Sequence, residues 1–364
     1  MSLVPARVGL QQRVLPEYRI PFFDSLATSC LQGLSVFAGN PREDEAIETS
    51  SKLTVANYAP ARNLHLFSGR FYLNWQMGLL RWLRSWNPHV LIVEANPRYL
   101  STPLAVQWMH LRNRPVIGWG LGTGSTNPVE SLFRRRFLRS LDAVIAYSRA
   151  GALQYISAGI DPQKVFVAAN AAVKRPSNPP YARPLQFKSG RPEILFVGRL
   201  QDRKRLDVLL QACAALPTGI QPRLVVIGDG PERARLESLA WGTYPNAEFI
   251  GARYGQDLEP YYASADLFVL PGTGGLAVQQ AMAHGLPVIV GVADGTQGEL
   301  VREENGWVLP DPSPENLAKV LKMALEDIPR LRKMGQASYR IVAEEVNLET
   351  MVDTFARAIR SVMK

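Results

Sequence analysis

Short apolar segments alternate with segments of helical periodicity along the second half of the chain, and this alternation most limits the possible folds. Segments of β type cover residues 193–198, 223–228, 247–251, 267–270 and 286–290, and helical segments separate them. Such short strands with helices between them are typical of a parallel sheet covered by helices on both faces. The pattern therefore predicts an α/β fold with a doubly wound parallel sheet.

The first half repeats the alternation, with strand segments at 4–10, 34–38, 89–94, 115–119, 143–146 and 165–168. Between the two series, residues 174–193 are rich in proline and polar residues and lack apolar periodicity, which predicts a linker. We therefore expect a domain over 1–173, a linker over 174–193, a second domain over 194–345 and a C-terminal helix over 346–364. Ligands of such sheets bind outside the carboxyl ends of the strands.

Residues 71–86 carry Trp75, Leu79, Trp82 and Trp86 at near-helical spacing, with arginines among them. This spacing predicts one helix that follows a polar, irregular segment over 40–63. Two interpretations stay open for the helix, a core-packed helix with an arginine rim or a helix that touches lipid headgroups.

Residues 265–291 join a strand, a glycine turn, a helix and a second strand. Gly272, Gly274 and Gly275 fall within four positions and let the backbone approach a ligand closely. The helix that begins at Leu276 offers free N–H groups and the positive end of its dipole, which suits a phosphate. A purely structural turn is the alternative, because strand–glycine–helix turns are common in α/β proteins.

The composition, with 46% hydrophobic and 20% charged residues over 364 positions, is that of a globular protein long enough for two domains. No apolar run has the length of a membrane span, and the first residues lack the apolar core of a signal peptide. A cytoplasmic location is therefore expected. Cys30 and Cys213 lie far apart, so the sequence indicates neither a disulfide framework nor a zinc site.

The charge is unevenly distributed along the chain. Residues 1–190 contain 22 Lys and Arg against 10 Asp and Glu, whereas the remainder contains 19 against 22. A basic half suits an anionic partner such as a phospholipid surface or a phosphorylated acceptor, and solubility alone is the alternative. No nucleic-acid-reading module accompanies the arginines of 134–139, so nucleic acid is not an expected partner.

Five segments of residues 194–310 stand in a specific order: FVGRLQDRKRLDVLLQA, VVIGDGPERARLE, FIGARY, YYASADLFVLPGTGGLAVQQAMAHGLPVIV and NGWVLP. Together they resemble the retaining glycosyltransferases of family 4, which have the GT-B fold. The stretch 142–173 is also similar to that family, and the first 140 residues match it only in outline. The resemblance implies two Rossmann-like domains that face a cleft, with the last helix crossing back to the N-terminal domain.

The resemblance also implies roles for residues of the second domain. Arg199 and Lys204 would receive the leaving diphosphate of a nucleotide sugar as fixed cations, although an ordinary surface pair is the alternative. Gly274, Gly275 and Leu276 would add backbone N–H groups. The full predicted set of donor-binding residues is Gly198, Gly228, Gly230, Ile250, Arg253, Gly274, Gly275, Leu276 and Gln280, with Ile250 and Arg253 at the base and Gln280 at the ribose.

Three positions depart from the usual family pattern. Gly272 and Gln280 stand where two glutamates eight residues apart are usual, and Leu121 stands about where a histidine is usual. On the acceptor or sugar side the predicted residues are Arg13, Arg19, Glu94, Gly122 and Thr123. A local salt bridge is the alternative for each charged one.

The resulting hypothesis is a retaining hexosyltransferase. It would move a sugar from a nucleotide-diphosphate donor to a sugar or lipid-linked acceptor that the basic N-terminal domain holds. No cofactor or metal is expected, and an anionic membrane surface, with a peripheral position on its cytoplasmic face, is a candidate partner. The alternative is a weakly catalytic homologue that binds nucleotide or sugar as a sensor or partner subunit. A GT-B epimerase fits less well, because the sequence has few acids and histidines at the predicted cleft.

Overall fold

The computed structural model describes residues 3–42, 45, 47–123, 128–292 and 297–363. The chain divides into two compact units, one formed by residues 1–172 with 348–364 and the other by residues 173–347. Each unit contains a parallel sheet with helices between most of its successive strands. This arrangement confirms the predicted α/β class with two doubly wound sheets.

The sheet of the first unit has seven parallel strands in the order β3-β2-β1-β6-β7-β8-β9. Its hydrophobic strands β1, β2, β6, β7 and β8 are buried almost throughout, which is the pattern expected where helices cover both faces. The strands described in this part of the chain are β1 Val8–Val14, β2 Leu34–Gly39, β3 Asn57–Pro60, β4 Arg62–Leu66, β5 Leu73–Met77, β6 Val90–Glu94, β7 Val116–Gly120, β8 Ala143–Ala146 and β9 Val165–Val167. The helices are α1 Ile20–Ser29, α2 Leu79–Trp86, α3 Thr102–His110, α4 Pro128–Arg139 and α5 Arg149–Ser157.

Strands β4 and β5 form an antiparallel hairpin outside the seven-stranded sheet. The prediction of one helix over 71–86 and of an irregular segment over 40–63 is therefore wrong. Gly78, with a φ of 88°, separates β5 from α2, so the tryptophan series spans two elements. Trp75 lies on the strand, whereas Trp82 and Trp86 lie on the helix.

The sheet of the second unit has six parallel strands in the order β12-β11-β10-β13-β14-β15. These strands are β10 Glu193–Val197, β11 Arg223–Ile227, β12 Ala247–Gly251, β13 Leu267–Leu270, β14 Val288–Gly291 and β15 Gly306–Leu309. The helices are α6 Leu206–Ala214, α7 Arg233–Thr243, α8 Glu259–Ser264, α9 Leu276–Ala283, α10 Gln297–Leu300, α11 Pro314–Glu326 and α12 Ile328–Arg340. The sequence order changes direction between β10 and β13, and this is where sheets of this kind bind ligands.

The proline-rich segment that the sequence marks as a linker is grouped with the second unit. Arg183 donates from its guanidinium to the carbonyls of Tyr262 (2.7 Å), Ala265 (2.9 Å) and His284 (3.0 Å). Because these carbonyls end helices α8 and α9, the arginine satisfies acceptors that a helix end leaves open. Burial lowers the pKa of Arg183 to about 10. The segment is thus attached to the second unit over part of its length.

The last helix, α13 (Leu348–Val362), belongs to the first unit. The ring of Phe355 lies 4.9 Å from that of Phe22 and 5.0 Å from that of Trp119, measured between centroids. Phe355 is fully buried there with Val352 and Ile359. The end of the chain therefore completes the core of the unit in which the chain begins. Within the described residues, no helix combines the length and low charge needed to cross a bilayer.

Candidate functional site

The loops that follow β10 and β11 touch each other at the carboxyl edge of the second sheet. The amide of Gly198 donates to the carbonyl of Ile227 (3.0 Å), and that of Leu200 donates to Asp229 (2.9 Å). A Cβ at Gly228 would lie 2.0 Å from the carbonyl oxygen of Gly198, and one at Gly230 would lie 2.3 Å from that of Leu200. These glycines are therefore required by the close approach of two backbones. The structure brings Gly198, Gly228 and Gly230 together.

Lys204 reaches from this edge into the glycine turn that follows β13. Its Nζ donates to the carbonyl oxygen of Thr273 at 2.6 Å. Gly274 has a φ of +147°, and a Cβ there would lie 2.5 Å from Nζ. Burial lowers the pKa of Lys204 to about 8, and the charge of Arg203 adds to the effect. A partly buried ammonium thus lies against Gly274.

Helix α9 begins directly after this turn. Gly275 is its N-cap, no side chain caps it, and the first intrahelical bond runs from Gln279 to the carbonyl of Gly275. The N–H groups of the first turn of a helix have no intrahelical acceptors, and the helix dipole favours an anion there. The ammonium of Lys204 and these amides can share one anionic group, which is the chemistry that a leaving diphosphate requires.

Gly272 is explained by packing. A Cβ at this position would lie 2.1 Å from the carbonyl oxygen of Arg203 and 2.6 Å from the backbone of Lys204. The neighbouring amide of Thr273 donates to the same carbonyl of Arg203 at 2.9 Å. A glutamate at 272 would therefore force the glycine turn away from Lys204. The glycine at 272, where the family usually has a glutamate, therefore allows the contact between Lys204 and Thr273.

The remaining predicted donor residues lie on the same unit with fewer contacts. Arg199 is exposed directly after Gly198, and Ile250 is half-buried on β12. Arg253 is exposed and donates to the carbonyl of Ala252 (2.8 Å). Gln280 is exposed on α9, where its Oε1 accepts from the hydroxyl of Tyr262 at 3.3 Å. The roles assigned to these residues and to Leu276 stay predictions.

In the first unit, three of the predicted acceptor-side residues lie close together. The guanidinium of Arg13 pairs with Glu45 (2.6 Å), and its backbone N–H donates to Oε1 of Glu94 (2.8 Å). Burial raises the pKa of Glu94, although the hydrogen bond from Arg13 and the positive charges of Arg13 and Arg19 act in the opposite direction. For Arg13 the structure therefore shows a local salt bridge, which is the alternative to an acceptor-binding role.

Arg19 is 8% exposed and is enclosed by aromatic rings. Its guanidinium carbon lies 4.5 Å from the ring centroid of Trp119, and Nη2 donates to the hydroxyl of Tyr147 at 3.1 Å. Its Nη1 has no hydrogen-bond partner among the described residues. Nη1 is itself buried, so Arg19 is a cation enclosed by aromatic faces with one donor left unsatisfied.

Gly122 and Thr123 have their amides engaged within the first unit. The N–H of Gly122 donates to the hydroxyl of Tyr155 (3.2 Å), and that of Thr123 donates to Oε1 of Gln154 (3.0 Å). Both acceptors belong to α5, which fixes the start of this loop. Residues 124–127, which follow Thr123 in the sequence, lie outside the described residues.

Sequence reasoning missed the carbonyl of Thr273 as the partner of Lys204, and it missed Gln279. Gln279 is 1% exposed; its side chain donates to the carbonyl of Val346 (2.9 Å) and accepts from the amide of Val173 (3.2 Å). The one signal in the sequence that could have pointed to Gln279 is its position next to Gln280. Across the described parts of the chain, no group of three or more His, Cys, Asp or Glu side chains is placed to hold a metal ion.

Residues 178–341 match the family model described as glycosyl transferases group 1. The GDP-mannose-dependent alpha-mannosyltransferase of Mycobacterium tuberculosis is 39% identical over 156 residues, which are 42% of this chain and 37% of that protein. The GDP-mannose-dependent alpha-(1-6)-phosphatidylinositol monomannoside mannosyltransferase of the same species is 27% identical over 257 residues, 66% of this chain and 63% of the relative. The chain thus spans less than two thirds of the length of these curated relatives.

Among solved structures, Anabaena Alr3699/HepE in complex with UDP superposes with a TM-score of 0.71 at 16% identity. The match covers 99% of this chain and 100% of that one. At this identity the likeness shows the fold alone, and the fold is GT-B.

Proposed function

Residues 178–341 match the family model of the glycosyl transferases group 1, and from that match we propose that the chain is a retaining hexosyltransferase of this family. It moves a hexose-type sugar from a nucleotide-diphosphate donor to an acceptor that the basic first unit holds. The observation that carries the proposal is the seating of Lys204 against Gly274, directly before the first turn of α9.

The donor site is built for a departing diphosphate. The ammonium of Lys204 and the amides after Gly274 stabilise the charge that develops on the leaving phosphates, and Arg199 adds a second cation. Fixed donors in a partly buried site need no reorganisation when the sugar–phosphate bond breaks. With retention, a donor phosphate oxygen accepts the proton of the acceptor hydroxyl on the face from which the diphosphate leaves. This chemistry requires positioning and charge, and it uses no pair of carboxylates and no metal or cofactor.

The identity of the donor and of the acceptor is proposed from the relatives. GDP-mannose is the first donor to test, since two relatives are named as GDP-mannose-dependent mannosyltransferases. One of them is named for a phosphatidylinositol monomannoside, which supports a lipid-linked acceptor. An anionic headgroup suits the positive charge of the first unit. The alternative of a weakly catalytic homologue that acts as a sensor or partner subunit is not favoured, because these relatives are named as transferases.

The test is sugar transfer by Lys204→Ala and Arg199→Ala. Each change removes a charged contact to the leaving group, so we expect the transfer rate to fall by about two to three orders of magnitude. Lys333→Ala, an exposed lysine of the same unit, is the matched control and should keep full activity. Wild-type rates in both site variants would refute the donor site.

A further inference from the structure

The hairpin β4–β5 carries its side chains in an arrangement opposite to that of an ordinary surface hairpin. On one face, Asn74 and Gln76 are 0% and 1% exposed. On the other face, large apolar side chains stand out into solvent. These outward side chains are Leu64 (37% exposed), Leu66 (42%), Trp75 (37%) and Met77 (44%), with Phe67 (72%) after the end of β4. We call these five the hairpin face.

The polar side of the hairpin is tied to the first unit by hydrogen bonds. Gln76 accepts from Gln11 (2.7 Å) and donates to the carbonyl of Gln12 (2.9 Å). Asn63 donates to the carbonyls of Arg13 (2.7 Å) and Asn40 (2.8 Å). In most antiparallel ribbons the apolar face packs on the core and the polar face is solvated. Here the side-chain amides determine which way the ribbon faces, so its apolar side is left exposed.

An aromatic residue in the turn of the hairpin, Phe67, adopts an unfavourable backbone conformation. Phe67 has a φ of 60°, in the left-handed region that a bulky residue seldom adopts. The same residue has the most exposed side chain of the hairpin face. Strained positions of this kind persist where the surrounding structure imposes them, and they cluster at functional sites.

The stretch of sequence that contains the hairpin carries charges of one sign. From residue 49 to residue 93 the sequence contains no Asp or Glu, while it contains Lys52, Arg62, Arg70, Arg81 and Arg84. Arg62 is exposed opposite Met77 in the hairpin register. Arg81 and Arg84 are exposed on α2, the helix that follows. Arginines beside outward leucines and aromatic rings match the boundary between anionic headgroups and acyl chains.

We propose that the hairpin face is a docking surface for an anionic phospholipid bilayer. Leu66, Phe67 and Trp75 enter the boundary between headgroups and acyl chains, and Arg62 binds lipid phosphate. A second copy of the chain is disfavoured as the occupant, because the first unit carries 21 Lys and Arg against 12 Asp and Glu and two such surfaces repel. The proposal does not depend on the transfer reaction, since no residue of the donor site belongs to the hairpin.

The test is co-sedimentation of the full chain with vesicles of phosphatidylcholine containing phosphatidylglycerol, and with vesicles of phosphatidylcholine alone. The wild-type protein should bind the anionic vesicles more tightly. The double variant Phe67→Ser with Trp75→Ser should bind them at least about tenfold more weakly, because two apolar side chains no longer leave water. Arg62→Gln should weaken binding about fivefold at low salt, the effect of one cation near an anionic surface.

Two variants of the second unit serve as controls. Trp241→Ser removes an exposed ring (84% exposed) and Arg340→Gln removes an exposed cation, and neither should change vesicle binding. Because Trp75 is only 37% exposed, its replacement also removes packing, so vesicle binding is compared at a temperature below the melting transition of every variant. Donor binding, measured by thermal shift with GDP, should be the same in every hairpin variant, which separates this proposal from the transfer function.

The proposal is overturned if the wild-type chain does not bind anionic vesicles, or if the double variant binds them as tightly as Trp241→Ser does. It is also overturned if the double variant abolishes a dimer of the wild-type chain and leaves vesicle binding intact. In that case the hairpin face would pair with a second copy.

Discussion

Gly272 shows how the absence of one side chain lets a charged group from another loop lie beside the glycine turn. Its Cα faces the backbone of Arg203 and Lys204, and this contact allows Lys204 to reach the carbonyl of Thr273. A residue with any side chain would separate the two loops. The proposed anion-binding site at α9 therefore depends on a glycine that need not touch the ligand.

Gly272→Ala tests this dependence. The added Cβ meets backbone atoms that cannot rotate away, so we expect a loss of about 1–3 kcal/mol in the free energy of unfolding. Gly242→Ala is the control, because nothing lies within 4 Å of a Cβ there and the residue is helical. That variant should be more stable by about 0.5–1 kcal/mol. Denaturant unfolding measures both, and equal stability of Gly272→Ala and the wild type would contradict the packing.

The depressed pKa of Lys204 predicts a pH dependence of donor binding. Burial holds the pKa at about 8 in the free protein, below the ordinary value of 10.5. A bound diphosphate stabilises the ammonium and raises this pKa, so binding takes up a proton above pH 8. Affinity should be constant below that pH and fall as the pH rises through it, by about tenfold for the first full unit above the pKa.

Calorimetry with GDP across this range measures the effect. The matched variant is Lys204→Met, which should bind more weakly and lack this part of the pH dependence. Ionisation of the nucleotide itself appears in both proteins and cancels in the comparison. A wild-type affinity that follows the same pH profile as Lys204→Met would show that Lys204 does not contact the diphosphate.

At the scale of the elements, the strands of the second unit could be predicted closely, because short apolar runs stop at glycine or proline. Strand β13 (Leu267–Leu270) coincides with its predicted range, and β10 and β11 differ from theirs by one residue. The order of the strands could not be predicted, since it depends on pairing between segments distant in the chain.

The hairpin β4–β5 shows why other elements were mispredicted. One helix fits the spacing of Trp75, Leu79, Trp82 and Trp86. The residue that argues against one helix is Gly78, which lies between β5 and α2. Apolar and polar side chains do alternate along β4 and β5, but the polar amides lie on the buried side and the apolar side chains on the exposed side. A rule that places apolar side chains inside assigns such a ribbon to irregular structure. The partner of Lys204 was missed for a related reason, because a backbone carbonyl leaves no mark in the sequence.

At the scale of the whole molecule, the residues proposed for the donor and for the acceptor lie in different units. The predicted donor residues all lie in residues 173–347, whereas Arg13, Arg19, Glu94 and the hairpin face lie in the first unit. Each unit has its own sheet, and the last helix completes the core of the first. A nucleotide alone should therefore stabilise the second unit directly.

Hydrogen exchange with and without GDP tests this division. At a nucleotide concentration of about 100 times Kd, binding stabilises the native state by about 2.7 kcal/mol. We expect slower exchange in residues 198–204 and 271–279, where the amides of the glycine turn and of α9 meet the phosphates. Lys204→Ala should lose this protection, and Lys333→Ala should keep it. Protection confined to residues 8–14 and 90–94 of the first unit would instead place the nucleotide beside Arg13 and Glu94, and the assignment of donor and acceptor to the two units would have to be reversed.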